Sequence, residues 1–351
     1  MKKEMLELYS DYLLSSFGYT TATGLSDLLD KQIGHDRITD FLTKSDFNSK
    51  DLWLLVKETV RSVESDDGVL IFDDTVEEKQ WTDENEIITW HYDHSKNRTV
   101  KGVNILNCLY HSQNTDIPVA YEIIDKPVLF SDPETGRIRR KSEVTKNELL
   151  RDMLRVCISN QFRFRYVLTD NWFSSKENML LIKSEISKDF IMAIKSNRTV
   201  ALSLEDKKNG HYVQVGTLEL KPGTVQHVYM KGIDFPCLLC RQIFKNKDGS
   251  SGVLYLVSSD TGLTYDQITA VYQKRWNVEV FHKSLKSNAS LSKSPTRTVR
   301  TQSNHFFASI YSFFKLEKLK IKHNLNHFAL RTKLYINALK ASFQKLQELK
   351  A

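Results

Sequence analysis

The stretch Asp66-Asp67-Gly68-Val69-Leu70-Ile71-Phe72-Asp73-Asp74-Thr75 decides how the rest of the chain is read. A turn signal precedes four apolar residues, the pattern of a short buried strand. The apolar run stops in two carboxylates. A charge at the end of a buried strand is costly unless it is hydrogen-bonded, capping or metal-bound. Upstream, Met5, Leu6, Tyr9, Leu13 and Leu14 recur at helical spacing, and residues 1 to about 65 read as helical. Leu25, Leu28 and Leu29, then Gly34, then His35 to Leu42 outline a helix-turn-helix. Residues 1–60 carry 7 basic and 10 acidic residues, a poor match to DNA, so a plain helical bundle fits this segment as well as a DNA reader.

Downstream of Thr75, strand patterns fall at residues 87–92, 103–110 and 117–124. A polar loop with the basic cluster Arg137-Ile138-Arg139-Arg140-Lys141 follows. Thr145 and Glu148 form a capping-box pair that opens a helix to about residue 160. Residues 166–169 read as a strand ending at Asp170, residues 175–184 as a helix and 190–193 as another strand. Residues 196–262 hold short alternating segments between Gly, Asn and Asp turns, a β-rich insertion. Helical periodicity returns from Asp266 to about Lys286, and again from about Asn304 to Lys350. Three strands, helix, strand, helix, strand, an interruption and a helix make an α/β, ribonuclease-H-like order, an analogy of fold alone. The expected division is 1–66 helical, 67–195 first part of the core, 196–262 insertion, 263–303 last part of the core and 304–351 basic helical region.

Composition bounds the function. The chain has 351 residues and a net charge of +7, with 16 basic and 4 acidic residues after Asp260 and 34 basic and 39 acidic before. A mildly acidic body with a strongly basic C-terminal quarter points to a polyanion, either nucleic acid or an anionic membrane, or to a solvated helical face. A hydrophobic content of 40% with 18 Phe, 14 Tyr and 5 Trp excludes a disordered chain. No apolar run approaches the roughly 20 residues that span a bilayer, and the N-terminus lacks a cleavage site. Four cysteines make no disulfide framework, so a cytosolic protein is expected.

Three acidic positions stand out: Asp73 or its neighbour Asp74 and Asp170, each ending a strand, and Glu279 within a helix. Each alone is commonly a cap or loop residue. Together in this order they form a set able to bind hard divalent cations, which take oxygen ligands. On a helical wheel with Tyr272 at zero, Arg275, Glu279 and Lys286 fall within a stripe of about 60°, beside an apolar face of Val271, Val278, Phe281 and Leu285. A solvent-facing salt-bridge stripe gives the same pattern. Cys237-Leu238-Leu239-Cys240 has CxxC spacing but no second ligand pair, so it reads as strand core. His91-Tyr92-Asp93-His94 could form a metal cluster, but strand alternation would divide its side chains between two faces.

Tyr272, Arg275, Glu279 and Lys286, spaced by two, three and six residues, resemble the Y-R-E-K signature of bacterial insertion-sequence DDE transposases of the kanamycin-transposon type. Phe72-Asp73-Asp74-Thr75 resembles that family's first Asp motif, and Leu168-Thr169-Asp170-Asn171-Trp172-Phe173 its second. The resemblance runs from about residue 69 to 291. It implies a ribonuclease-H-like core with two Mg²⁺ or Mn²⁺ ions on Asp73, Asp170 and Glu279, with Asp74 a competitor for the first place. It implies nicking of double-stranded DNA at the element's inverted-repeat ends and strand transfer by the freed 3′-hydroxyl into target DNA. A homodimer and a bacterial, nucleoid-associated setting are implied as well. Tyr272, Arg275 and Lys286 would contact end DNA, with Trp276 and Lys283 on the same helix. Lys195 and Arg198, after a strand near the insertion, would touch phosphate or lie in a solvated loop. In relatives that form DNA hairpins a Trp in the insertion stacks on a flipped base. Here Trp53, Trp81, Trp90, Trp172 and Trp276 all lie outside residues 196–262, leaving Tyr212, Tyr229 or Tyr255 for that task.

Overall fold

The computed structural model describes residues 2–93, 96–245 and 249–350. Four helices come first: α1 (Lys2–Ser15), α2 (Ala22–Leu28), α3 (His35–Lys44) and α4 (Ser49–Val63). Then follow β1 (Val69–Glu78), β2 (Thr89–Asp93), β3 (Arg98–Ser112), β4 (Thr115–Ile123) and the small hairpin β5 (Val128–Ser131) and β6 (Ile138–Lys141). Helix α5 (Lys146–Ser159), β7 (Tyr166–Thr169), α6 (Lys176–Leu180) and β8 (Asp189–Ile194) complete the central part. The expected insertion contains β9 (Thr199–Ala201), α7 (Leu204–Lys208), β10 (Val213–Gln214), β11 (Gln226–Met230), β12 (Cys237–Lys245) and β13 (Ser251–Ser258). Helices α8 (Tyr265–Gln273), α9 (Trp276–Ser287), α10 (Val299–His323) and α11 (His327–Lys350) close the chain.

Eleven strands join in one mixed α/β sheet, in the order β10-β9-β11-β12-β13-β8-β7-β1-β3-β2, with β4 also on β3. Strand β1 is parallel to β7, β7 is parallel to β8, and β3 runs antiparallel to β1. Val69 to Phe72 are fully buried, as a central strand covered on both faces requires. The long β3 pairs with β1 along one edge and with β2 and then β4 along the other. The strands of residues 199–258 continue this same sheet, because β13 pairs antiparallel with β8.

Three local expectations need correction. Strand β1 does not stop at Phe72. Its pairing with β3 continues to Glu78 opposite Gly102, so Asp73 and Asp74 lie inside a paired strand. The basic segment 137–141 is not a loop: Ile138–Lys141 pairs with Val128–Ser131. The segment 266–286 is not one helix. The amides of Lys274, Arg275, Asn277 and Val278 each bond a carbonyl three residues back, a 3₁₀ tightening between α8 and α9.

The first and last helices form one packed unit. The Tyr9 hydroxyl meets His305 Nδ1 at 3.0 Å. The Asn304 amide donates to the carbonyls of Leu42 and Ser45 at 2.8 Å each. Among the described residues, no helix is long and apolar enough to cross a membrane.

Candidate active site

Register builds the site. Phe72 pairs with Thr169 in the last step of the parallel β1–β7 ladder, so Asp73 and Asp170 follow side by side where that pairing ends. The open end of a parallel sheet is where such folds bind ligands. The second carboxylate is held by its own loop: Asp170 Oδ1 accepts the backbone N–H of Trp172 at 2.9 Å, an Asx turn.

Alternation along β1 sends Asp73 and Asp74 to opposite faces. Asp73 faces α9. Arg275 Nη1 lies 3.4 Å from Asp73 Oδ2 and 3.4 Å from Glu279 Oε1, bridging the two carboxylates. Ligand atoms of Asp73, Glu279 and His282 all fall within 4.8 Å of one another. Asp74 faces the start of α5. Its Oδ2 accepts from Lys146 Nζ at 2.7 Å and from Asn104 Nδ2 at 2.8 Å. Lys146 is placed by the Thr145–Glu148 capping box, read from sequence and present at the start of α5. The 3₁₀ turn aims Arg275: its last residue heads α9 and reaches back across Glu279 one turn on.

Electrostatics set this cluster apart. The Asp73 carboxyl is held well above its usual range by burial and then by the charges of Asp170, Asp74 and Glu279. Burial also raises Asp170, against the N–H bond from Trp172. Its side chain 42% exposed against 14% for Asp73, Glu279 stands at the mouth and Asp73 at the floor. His282 is pushed down to about 3 by burial and by the nearby Lys286 and Arg275 cations, so it is neutral. It meets the Asn107 side chain at 3.2 Å, and Asn107 pairs with Asp73 across the β1–β3 ladder.

Does this arrangement fit a divalent cation? Among the described residues, the buried Asn107 Oδ1 has no hydrogen-bond partner. Asp73 and Glu279 share a single guanidinium at 3.4 Å, and the donors gathered there are carboxylate oxygens and one neutral imidazole. Both observations fit a hard cation.

The other expected site residues lie as follows. Tyr272 is turned inward, not toward solvent: it is buried, and its hydroxyl donates to the Thr169 carbonyl at 3.2 Å. Lys286 donates to the Val76 carbonyl at 2.8 Å and lines the same cleft. Trp276 is exposed, and Lys283 is exposed with its Nζ 5.3 Å from the Phe328 ring. Lys195 and Arg198 stand in the loop after β8 and line neither cleft.

Two clefts meet at Asp170 and Arg275, which line both. One, of about 870 Å³, holds Asp73, Asp74, Asp170 and Glu279. The other, of about 790 Å³, lies between α8 and the β12–β13 pair and includes Trp276 and Phe244.

His282 was not anticipated. Its signal is the spacing Glu279-x-x-His282, one helical turn, which sets a carboxylate and an imidazole on one face. Cys237 and Cys240 are buried in β12 with thiols pushed up by burial to about 12 and about 11, and among the described residues neither joins a three-ligand group. Of the 91–94 cluster, His91 is buried, bonded to Thr89 at 2.8 Å, and also pushed down to about 3. His94 lies outside the described residues.

Comparison with known proteins adds the family. A family model described as DDE superfamily endonuclease matches residues 1–214, a span that includes Asp73, Asp74 and Asp170. One described as Transposase DDE domain matches residues 126–312, which includes Asp170 and Glu279. No curated protein matches the chain. Matches over more than half its length, on a mixed α/β fold that gathers carboxylates at one sheet end, mean that the chain belongs to the DDE superfamily of transposases and endonucleases.

Proposed function

We propose that the chain is an insertion-sequence transposase of the Y-R-E-K type, with a ribonuclease-H-like core. It binds the ends of its element, cuts DNA and joins the freed 3′-hydroxyl to target DNA. The observation that carries this reading is the register of β1 and β7, which sets Asp73 and Asp170 together beneath the helix bearing Glu279. Strand order β4-β3-β1-β7-β8, with three antiparallel and then parallel partners, supports the ribonuclease-H-like assignment.

Asp73, Asp170 and Glu279 are the catalytic carboxylates and would hold two Mg²⁺ or Mn²⁺ ions. Asp74 takes a supporting place through Lys146. When bound, the ions supply Lewis-acid stabilisation of the attacking and leaving oxygens. The chain's own residues do the rest. Arg275, which in the DNA-free protein neutralises Asp73 and Glu279, turns its fork to a phosphate. Lys283 and Trp276 meet DNA from the exposed side of α9, and Lys195 and Arg198 meet it beyond β8. Lys286 fixes α9 to β1 and adds positive potential. Tyr272 acts from within, tying α8 to the end of β7 beside Asp170. A homodimer brings two ends together.

The test is an assay with end-sequence DNA in Mg²⁺, scored separately for nicking and for joining of precleaved ends to a plasmid. Metal-dependent nicking and joining are expected. Nicking without joining favours the cut-only nuclease that the endonuclease description allows. Neither activity sinks both readings.

A further inference from the structure

Three aromatic side chains around the carboxylate cleft have no role in the chemistry above. Trp90 is 54% exposed, Tyr92 51% and Trp172 50%, and all three line the cavity that holds Asp73, Asp74, Asp170 and Glu279. A single exposed aromatic needs no explanation. Three on the walls of one recess, each about half exposed, form a surface made for a flat apolar partner.

Two of them are anchored at the backbone. Trp172 follows Asp170 by two residues, and its own N–H bonds the Asp170 carboxylate. Lys146 Nζ sits 5.5 Å from the Trp172 ring centroid while bonding Asp74 at 2.7 Å, so one cation ties the ring to the carboxylates. Trp90 and Tyr92 share the outer face of β2, whose alternate residues Thr89 and His91 are buried. The Trp90 carbonyl accepts from Lys126 Nζ at 2.7 Å. Two same-face residues on a strand are about 6.7 Å apart.

Chemistry selects the ligand. A duplex hides its base faces and offers edges, which are read by hydrogen-bonding side chains. Here rings are offered beside lysines and a carboxylate floor. We infer that Trp90, Tyr92 and Trp172 form a stacking site for one or two unpaired nucleotides next to the phosphodiester held over Asp73, Asp170 and Glu279. The inference rests on the proposed DNA chemistry of that floor. The site lies on the far side of Asp170 and Arg275 from the α8–β12–β13 cleft, and uses the core and not the insertion.

The test measures binding of the full-length protein, in Ca²⁺, to a 2-aminopurine-labelled single-stranded oligonucleotide and to the same sequence as a duplex. Trp90→Ala and Trp172→Ala should each weaken single-strand binding about tenfold, the cost of one lost base stack. They should also remove the 2-aminopurine quenching and move duplex binding less than twofold. Trp172→Phe should restore most of the loss. Unchanged single-strand binding by both Ala variants, or an equal loss on both DNAs, overturns the inference. Failure of the transposase reading has a different signature, no Mg²⁺-dependent cutting by the unsubstituted protein, and is read in a separate assay.

Discussion

Asp73 and Asp74 are neighbours in sequence with opposite surroundings. On one face of β1, Asp73 meets Arg275, Glu279 and His282. On the other, Asp74 meets Lys146 and Asn104 at ordinary hydrogen-bond distances. On the Asp73 side two carboxylates, Asp170 and Glu279, press on a buried third, with one shared guanidinium at 3.4 Å and an orphaned amide oxygen on Asn107. The Asp74 side is an ion pair at 2.7 Å, with a second orphaned amide oxygen on Asn104. The difference teaches that a strand's two-residue period can give adjacent acids on one cleft different partners.

The largest expected effect tests the Asp73 side. Glu279→Gln keeps shape and removes charge, and should cut Mg²⁺-dependent nicking by about 10³-fold or more, since several kcal/mol of charge stabilisation would depend on the ions proposed for it. End binding by gel shift should persist; full nicking by this variant would dismantle the carboxylate assignment. Next, Asp73→Asn should match Glu279→Gln, while Asp74→Asn should lose only about 10–100-fold, the range for a residue that orients ligands. If Asp74→Asn proves the more severe, the two faces exchange roles. A smaller effect is expected of Arg275→Ala: weaker end binding and a salt slope reduced by about one. An unchanged slope would show that Arg275 never leaves the carboxylates for a phosphate.

The smallest effect concerns stability. Asp73 titrates above its unfolded value, so the fold binds its proton more tightly and loses stability as pH rises through the raised pKa. Asp73→Asn removes that loss. In EDTA at pH 8 the variant should melt about 2–4 °C above the unsubstituted protein, a change on the order of 1 kcal/mol. Below about pH 4, where the unfolded carboxyl is also protonated, the gap should close. A lower melting temperature at pH 8 would make Asp73 a structural carboxylate.

Much of this was legible in the sequence, for physical reasons. Val69 to Phe72 and Tyr166 to Leu168 are short runs of apolar and aromatic residues, so the strands and the acids that follow them could be found by pattern, though not the extension of β1 to Glu78. The capping box at Thr145 is a local device, and local devices read well. The 3₁₀ turn at Lys274–Arg275 was not legible. Nothing in the composition there breaks a helix; the distortion goes with Tyr272 anchored to Thr169 and Arg275 held by Asp73, contacts across a hundred residues or more. Tyr272 likewise reads as part of a polar stripe on a wheel, yet tertiary packing turns it inward. The hairpin at Arg137–Lys141 was hidden because an exposed two-stranded ribbon has no buried face to impose alternation.

The packing of α1 and α3 against α10 has a consequence in time. Tyr9, Leu13 and Phe41 belong to a core that residues near 305 help to close. A ribosome making roughly 5–20 residues per second needs on the order of 10–50 s to add the intervening stretch of about 250 residues. For that interval the first helices are exposed on the nascent chain without their cover. The α9 helix with Glu279 lacks its α10 backing for the last part of it. The helix that carries Glu279 therefore gains its packing partner only once α10 has been made.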